Sequence, residues 1–373
     1  MLHPGPTEIL EQLNKAGFEA YFVGGCVRDL LLERLCHDWD ITTSARPEEI
    51  LSVFPNGQPT GIAHGTITVP YKDMLVEVTT FRSDGEYLDG RHPNRVRFVT
   101  TLYEDLVRRD FTINALSMNQ EGQITDLFHG ITDLENGIIR CIGDPTKRFQ
   151  EDALRMLRAV RFAAQLDFRL EDQTRAALKT CAPLCETLSV ERMREELEKV
   201  LLSDHPEYIL KMAELGLLTK LEPHLSGTMD WIADLPGDRV VRWAAVCMHW
   251  RDLDLSSLRM DRKTALLAMK ASSFTQPGDR LGWKRLIADQ GREAVCIFSV
   301  LTGSQDMVHE ILQSGECMSL SELAVKGSDF PDVKGKALGR LLYQILQDVI
   351  ENPELNKKEK ILKKYKNSID YCY

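Results

Sequence analysis

The sequence predicts a mixed α/β head over residues 1–140 followed by an all-helical remainder. Two observations carry this. Strand-like alternation of apolar and polar residues is confined to the first third, and from Asp144 to Leu362 the pattern is helical with few β-branched runs. A chain of 373 residues also exceeds what one hydrophobic core usually serves, so more than one domain is expected.

Within the head, strands are predicted at 20–23, 39–43, 65–70, 74–81, 95–99 and 114–118. Helices are predicted at 6–15, 26–32 and 46–54, the last entered through Pro47-Glu48-Glu49. Lys72-Asp73 suits a hairpin turn. Beyond the head, breaks at 203–206, 235–238, 276–279 and 327–331 separate helices or groups of helices. No fixed-period repeat or low-complexity tract interrupts them.

Composition bounds the chemistry. Hydrophobic residues at 43% and charged residues at 27% fit a folded globular chain. No apolar run reaches the roughly 18 residues of a membrane span, and the first residues lack the layout of a signal peptide, so a cytoplasmic location is expected. The nine cysteines show no CxxC pairing and read as reduced thiols. Cys181 and Cys185 lack a second ligand pair, so zinc is not predicted. A net charge of -10 argues against indiscriminate nucleic-acid binding. Local basic clusters remain: Arg91, His92, Arg95, Arg97, Arg108 and Arg109 in the head, and six lysines between Lys357 and Lys366. Charge alone leaves the lysines equally a solvated helix end and an RNA contact.

The chemistry is expected where Gly24-Gly25 leads into a helix bearing Arg28 and Asp29, followed by Asp38-Trp39-Asp40 on a strand. Adjacent glycines let the backbone approach triphosphate oxygens, and Arg28 faces that charge. Residues 38 and 40 of an extended strand project from one face, with Trp39 turned to the core. Two carboxylates so placed can bridge two Mg²⁺ ions about 3.5–4 Å apart for phosphoryl transfer. A DxD tripeptide alone is common; the order of glycine pair, arginine and carboxylate pair is not.

These residues resemble the polymerase-β nucleotidyltransferase superfamily, and within it the class II tRNA nucleotidyltransferases and their bacterial poly(A) polymerase relatives. The resemblance is carried by the run from Gly24 to Leu32 and by Asp38-Trp39-Asp40-Ile41-Thr42-Thr43. Glu33 departs from it, since many members have glycine there. The resemblance covers roughly 18–202 with ordered motifs and the rest more weakly.

It implies a polymerase-β-like head (1–140), a helical neck reading the base (141–202), a helical body (203–310) and a helical, tRNA-binding tail (311–373). A third carboxylate is expected as metal ligand or base, and Glu77 is the candidate, since Val76 and Val78 face the other way. The polar segment 83–93 corresponds to a flexible loop that helps the switch from C to A addition, and its full length favours complete CCA addition. Arg108-Arg109-Asp110 resembles the second signature, with Arg109 near the sugar or phosphates and Asp110 orienting the arginines. In 148–162, Arg155, Arg158 and Arg161 recur every third position and span about 120° of one helix face. Asp152 and Arg155 match the base-reading motif: a carboxylate accepts from an exocyclic amine and a guanidinium donates to ring nitrogen or carbonyl, which suits CTP and ATP. Arg158 and Arg161 would buttress the pair or hold phosphates. Ser189 followed by Arg192 resembles the last signature, although helix capping suffices to explain it.

The implied function is addition of C, C and A to tRNA 3′ ends from CTP and ATP, with Mg²⁺ at Asp38 and Asp40. Gly25, Arg28, Arg109, Asp152, Arg155, Arg158 and Arg161 would bind the nucleotide. A poly(A) polymerase or an A-adding specialist is the alternative within the family. His37-Asp38 also suggests a metal-dependent phosphohydrolase, but the dyad overlaps the DxD strand and further histidines are not in place. A catalytically dead RNA-binding protein would lack part of this set.

Overall fold

The structure is a computed structural model that describes residues 3–36, 38–72, 74–84, 96–218, 228–251 and 253–369. The chain forms two compact units, Met1–Thr228 and Met229–Tyr373.

The first unit opens with α1 (Pro4–Lys15), β1 (Ala20–Val23), α2 (Gly25–Leu31), β2 (Asp40–Thr43) and α3 (Pro47–Val53). Then come β3 (Gln58–Gly61), β4 (Thr66–Tyr71), β5 (Met74–Thr80), the short pair β6 (Arg82–Asp84) and β7 (Val96–Phe98), and α4 (Leu102–Val107). The head closes with β8 (Leu116–Met118), β9 (Ile124–Asp126), α5 (Gly130–Glu135) and β10 (Ile138–Ile139). Seven strands form one mixed sheet in the order β3-β4-β5-β2-β1-β8-β9, with β2 and β5 parallel and the other neighbours antiparallel. Central strands are apolar on the buried face: Phe22, Ile41, Val76 and Val78 are fully or almost fully enclosed.

Two strands of this sheet escape the sequence pattern, as do the short β6 and β10 outside it. The edge strand β3 reads Gln-Pro-Thr-Gly and is largely exposed, and an edge strand that buries little needs no apolar alternation and tolerates proline. Strand β9 is only three residues long and half-buried throughout. The turn at 72–73 is a two-residue connection between paired Tyr71 and Met74, with Lys72 in the left-handed region; Asp73 lies outside the described residues. So do 85–95, which hold most of the expected loop together with Arg91, His92 and Arg95.

Helices α6 (Pro145–Glu151), α7 (Leu154–Leu166), α8 (Asp172–Cys181), α9 (Val190–Leu201) and α10 (Tyr208–Glu214), with the two-residue β11 (Arg169–Leu170) pairing β10, complete this unit. The expected single helix over 148–162 is two helices, because Asp152 leaves helical geometry at φ -143°, ψ 106°. Ser189 caps α9, accepting from the Arg192 amide at 3.5 Å. Phe162 of α7 meets Phe111 of the head edge-on at 5.8 Å, so the strand layer and the helices share apolar packing.

The second unit is helical: α11 (Arg239–His249), α12 (Arg262–Ser272), α13 (Arg280–Gln290), α14 (Arg292–Leu301), α15 (Gln305–Gln313), α16 (Gly335–Glu351) and α17 (Lys358–Ile369). Trp283, Phe298, Ile345 and Val349 are among its buried residues. Four of the terminal lysines lie against carboxylates of their own unit: Lys357 and Lys360 against Glu354, Lys358 against Asp329 and Lys364 against Asp348. Exposed pairs of this kind contribute little stability, so phosphates can compete for them. Among the described residues no helix is long and apolar enough to cross a membrane, and the eight described cysteines form no disulfide.

Glu33 has a structural consequence. It follows α2 at φ +55°, the left-handed position at which helices commonly end in glycine. A Cβ is disfavoured there by about 1 kcal/mol. Glu33→Gly is therefore expected to raise stability by roughly 0.5–1 kcal/mol in urea denaturation. Glu33→Gln, which removes the charge and keeps the Cβ, should leave it unchanged; equal gains from both would assign the effect to charge.

Candidate active site

Strand β2 and the turn before α2 build the floor of the site. Asp40 begins β2 and pairs in register with Glu77 of β5, so the two carboxylates lie side by side. Trp39 is buried against Phe22, with ring centroids 5.1 Å apart, while Asp38 is exposed; the aspartates flank a core tryptophan as the alternation predicts. Gly24 carries φ +75°, and a Cβ there would stand 3.0 Å from Arg109 Nη1 and 3.9 Å from Asp40 Oδ2. The positive φ favours glycine at this turn, and a Cβ would also crowd the Arg109 guanidinium. The Cys26 thiol donates to the carbonyls of Val23, at 3.2 Å, and Asp40, at 3.7 Å.

The carboxylates have little to neutralise them. Burial pushes the Asp40 carboxyl up to about 6, with Glu77 and Asp38 adding to the rise and Arg109 opposing it. Among the described residues no protein group donates a hydrogen bond to the side chains of Asp38 or Asp40, and no three ligating side chains converge as a closed metal cage. This donor set fits a hard divalent cation held by one or two carboxylates, with the remaining positions left for phosphate and water. Glu77 stands beside Asp40 without lining the cleft.

That cleft has a volume of about 800 Å³ and collects nearly all the expected residues. Gly24, Gly25, Arg28, Asp38, Asp40, Arg109, Asp152, Arg155, Arg158 and Arg161 line it, and eight arginines face five aspartates around its wall. A cavity with that balance suits a polyanion. Arg28 is held by Asp29 at 2.8 Å and by Asn114 Oδ1 at 2.7 Å. Phe162 forms a shared platform beneath Arg28, Arg158 and Arg161, whose guanidinium carbons lie 5.1, 5.2 and 3.9 Å from its ring centre.

The ion pairs differ from those expected. Arg108 and Arg109 are oriented by Asp105, at 2.8 and 3.1 Å, and not by Asp110. Asp105 is fully buried and also accepts from Thr42 Oγ1 and the Arg82 amide. Burial raises its carboxyl, but the charges of Arg109 and Arg108 outweigh that and hold it below the usual range. Asp110 serves Arg158 instead, at 2.6 Å, and accepts from Asn114 and the Phe111 amide. Arg155 bonds Glu151 at 2.6 Å and the Arg148 carbonyl at 3.0 Å, Arg161 pairs with Glu196, and Asp152 accepts from Arg192 at 3.0 Å.

Asp105, Glu196 and the cleft-lining role of Arg192 are therefore additions to the expected set. Asp105 had a readable signal, lying three and four residues before Arg108 and Arg109 as helical ion pairs do. Arg192 and Glu196 fall in the run that resembles the last signature, but their pairings with Asp152 and Arg161 had no signal, since those partners are 40 and 35 residues away.

Comparison with known proteins follows the same division. Residues 20–140 match the poly A polymerase head domain, and 167–228 match a region described as the probable RNA and SrmB-binding site of polymerase A. A CCA-adding enzyme of Leuconostoc mesenteroides is 38% identical over 383 residues, a match covering 96% of each chain. The chain belongs to the family of CCA-adding enzymes. Another member, from Lactobacillus delbrueckii, is 43% identical over 316 residues, covering 83% of this chain and 75% of the relative. The crystal structure of the Bacillus stearothermophilus CCA-adding enzyme in complex with CTP superposes with a TM-score of 0.86 at 33% identity over the whole of both chains. This member of the family thus has the mixed-sheet nucleotidyltransferase head that its sequence predicts and a helix-rich remainder that departs from all-helical only in the short β11, and as a family member it is a tRNA nucleotidyltransferase, for which divalent-metal use is the family expectation.

Proposed function

We propose that the enzyme adds C, C and A in turn to the 3′ end of tRNA, without a nucleic-acid template, taking CTP and ATP and releasing pyrophosphate. The observation that carries this reading is the single cleft in which Asp38 and Asp40 share walls with the arginines and with Asp152. We assign Asp38 and Asp40 as ligands for Mg²⁺ and Glu77 as the neighbouring carboxylate. A divalent cation bound there supplies Lewis-acid activation of the attacking hydroxyl and neutralises charge on the leaving group.

The chain's own residues do the rest. Gly24 and Gly25 leave room for phosphate oxygens, and Arg28 and Arg109 counter their charge while Asp105 and Asn114 fix those arginines. Asp152 and Arg155 select the base, with Arg158 and Arg161 supporting them over Phe162. Head 1–140, neck 141–202, body 203–310 and tail 311–373 are retained as the functional division, with tRNA gripped by body and tail in the cytoplasm.

The deciding experiment incubates the protein with tRNA that ends before CCA, Mg²⁺ and all four nucleotides, and reads the product ends. Addition of CCA and no more is expected. Long adenosine tails on arbitrary RNA would identify a poly(A) polymerase, and A added only to tRNA already ending in CC would identify an A-adding specialist.

A further inference from the structure

We propose that Arg192 is a positioning residue for base selection, fixing the Asp152 carboxylate in the orientation that meets the edge of an incoming base. The inference rests on Asp152 reading the base, as proposed above.

Asp152 sits in the break between α6 and α7, where its backbone belongs to no helix. Its side chain is set by two donors. The Leu154 amide donates to Oδ1 at 3.0 Å, and Nη2 of Arg192, on α9, donates to Oδ2 at 3.0 Å. The first is local and would allow the carboxylate to swing; the second comes from another helix and closes that freedom. The pair is sheltered, with side-chain exposures of 22% for Arg192 and 17% for Asp152.

Selectivity needs both the charge and the orientation of this carboxylate. Ionised, it accepts from N4 of cytosine or N6 of adenine, and it meets only acceptor oxygens at O4 of uracil or O6 of guanine. A carboxylate that turns away loses the favourable bond and the repulsion together. The guanidinium of Arg192 holds the carboxylate in place through its bond to Oδ2. Arg192 and Asp152 both line the cleft, so the bond between them lies at the wall that a bound base would meet.

The test measures kcat/KM for CTP and for UTP in single additions to tRNA ending before CCA, with Arg192→Ala, Arg192→Lys and Asp152→Ala beside the wild type. Arg192→Ala is expected to reduce discrimination against UTP by about tenfold to a hundredfold, with a smaller loss in kcat for CTP. Arg192→Lys, which keeps a charge and a donor, should recover part of the selectivity. A purely structural role in α9 would lower turnover with both nucleotides alike and leave their ratio unchanged. Unchanged ratios in both Arg192 variants, with a relaxed ratio in Asp152→Ala, would overturn the role of Arg192 and leave Asp152 as reader. Full selectivity in Asp152→Ala would overturn the reading of Asp152 itself, and this proposal with it. Should Arg192→Ala fail to fold, Arg192→Lys still decides, because wild-type discrimination combined with weakened CTP binding would refute the orientation argument.

Discussion

Asp40→Asn is expected to abolish nucleotide addition and, at the same time, to make the metal-free protein more stable. Its activity should fall by about a thousandfold or more, the consequence of losing roughly 4 kcal/mol of transition-state stabilisation by a ligated metal. The gain in stability follows from the environment of Asp40, whose carboxyl is raised to about 6 by burial and by Glu77 and Asp38. With the folded value above the unfolded one, the folded protein holds its proton longer. Stability therefore falls as pH rises from about 4 to about 6, and above that the cost is constant. A shift of this size corresponds to about 2–3 kcal/mol at neutral pH. Asparagine removes the charge, so metal-free Asp40→Asn should melt above the wild type at pH 7.5 and beside it at pH 4. Added Mg²⁺ should raise the wild-type midpoint at pH 7.5 and have little effect on the variant. A variant that retains activity within tenfold, or that melts below the wild type at pH 7.5, would remove Asp40 from the metal site.

How far the sequence discloses this site depends on the range of each interaction. The alternation Asp38-Trp39-Asp40 and Val76-Glu77-Val78 is local, and the structure places the tryptophan and both valines inside, Asp38 and Glu77 outside and Asp40 half-buried between them. Gly24 is equally legible, since the turn into α2 takes a positive φ that favours a residue without Cβ. What the sequence conceals is which carboxylate serves which arginine. Arg158 reaches Asp110 across 48 residues and Arg161 reaches Glu196 across 35, and pairings of that range leave no period in the chain. Asp110 stands next to Arg109 in sequence and yet turns to Arg158, because Asp105, one helical turn earlier, already occupies Arg109. The break at Asp152 is hidden for the opposite reason. Its neighbours have good helix propensity, and a tie to Arg192 on another helix overrides that weak local preference.

Asp110→Ala should be among the most destabilising substitutions in the first unit. The carboxylate is 8% exposed and binds Arg158 through Oδ2 while Oδ1 accepts from Asn114 and the Phe111 amide. Removing it leaves a sheltered guanidinium unpaired and two donors unmet, a loss of about 3–5 kcal/mol. Burial alone would raise this carboxyl, but Arg158, Asn114 and Arg155 together hold it down to about 2. Here the folded value lies below the unfolded one, so the stabilisation is present above about pH 4 and is lost as pH falls toward 2. The difference is worth roughly 2 kcal/mol. Asp110→Asn keeps the shape and one acceptor, so it should unfold more easily at pH 7 and show a flatter decline of stability into acid than the wild type. Combining Asp110→Asn with Arg158→Met removes the orphaned charge as well. The double variant should therefore be more stable than the sum of the single losses implies, by at least about 1 kcal/mol of coupling. Additive losses would mean that Arg158 finds another partner when Asp110 is gone, and that the pair is not what joins the end of the head to helix α7.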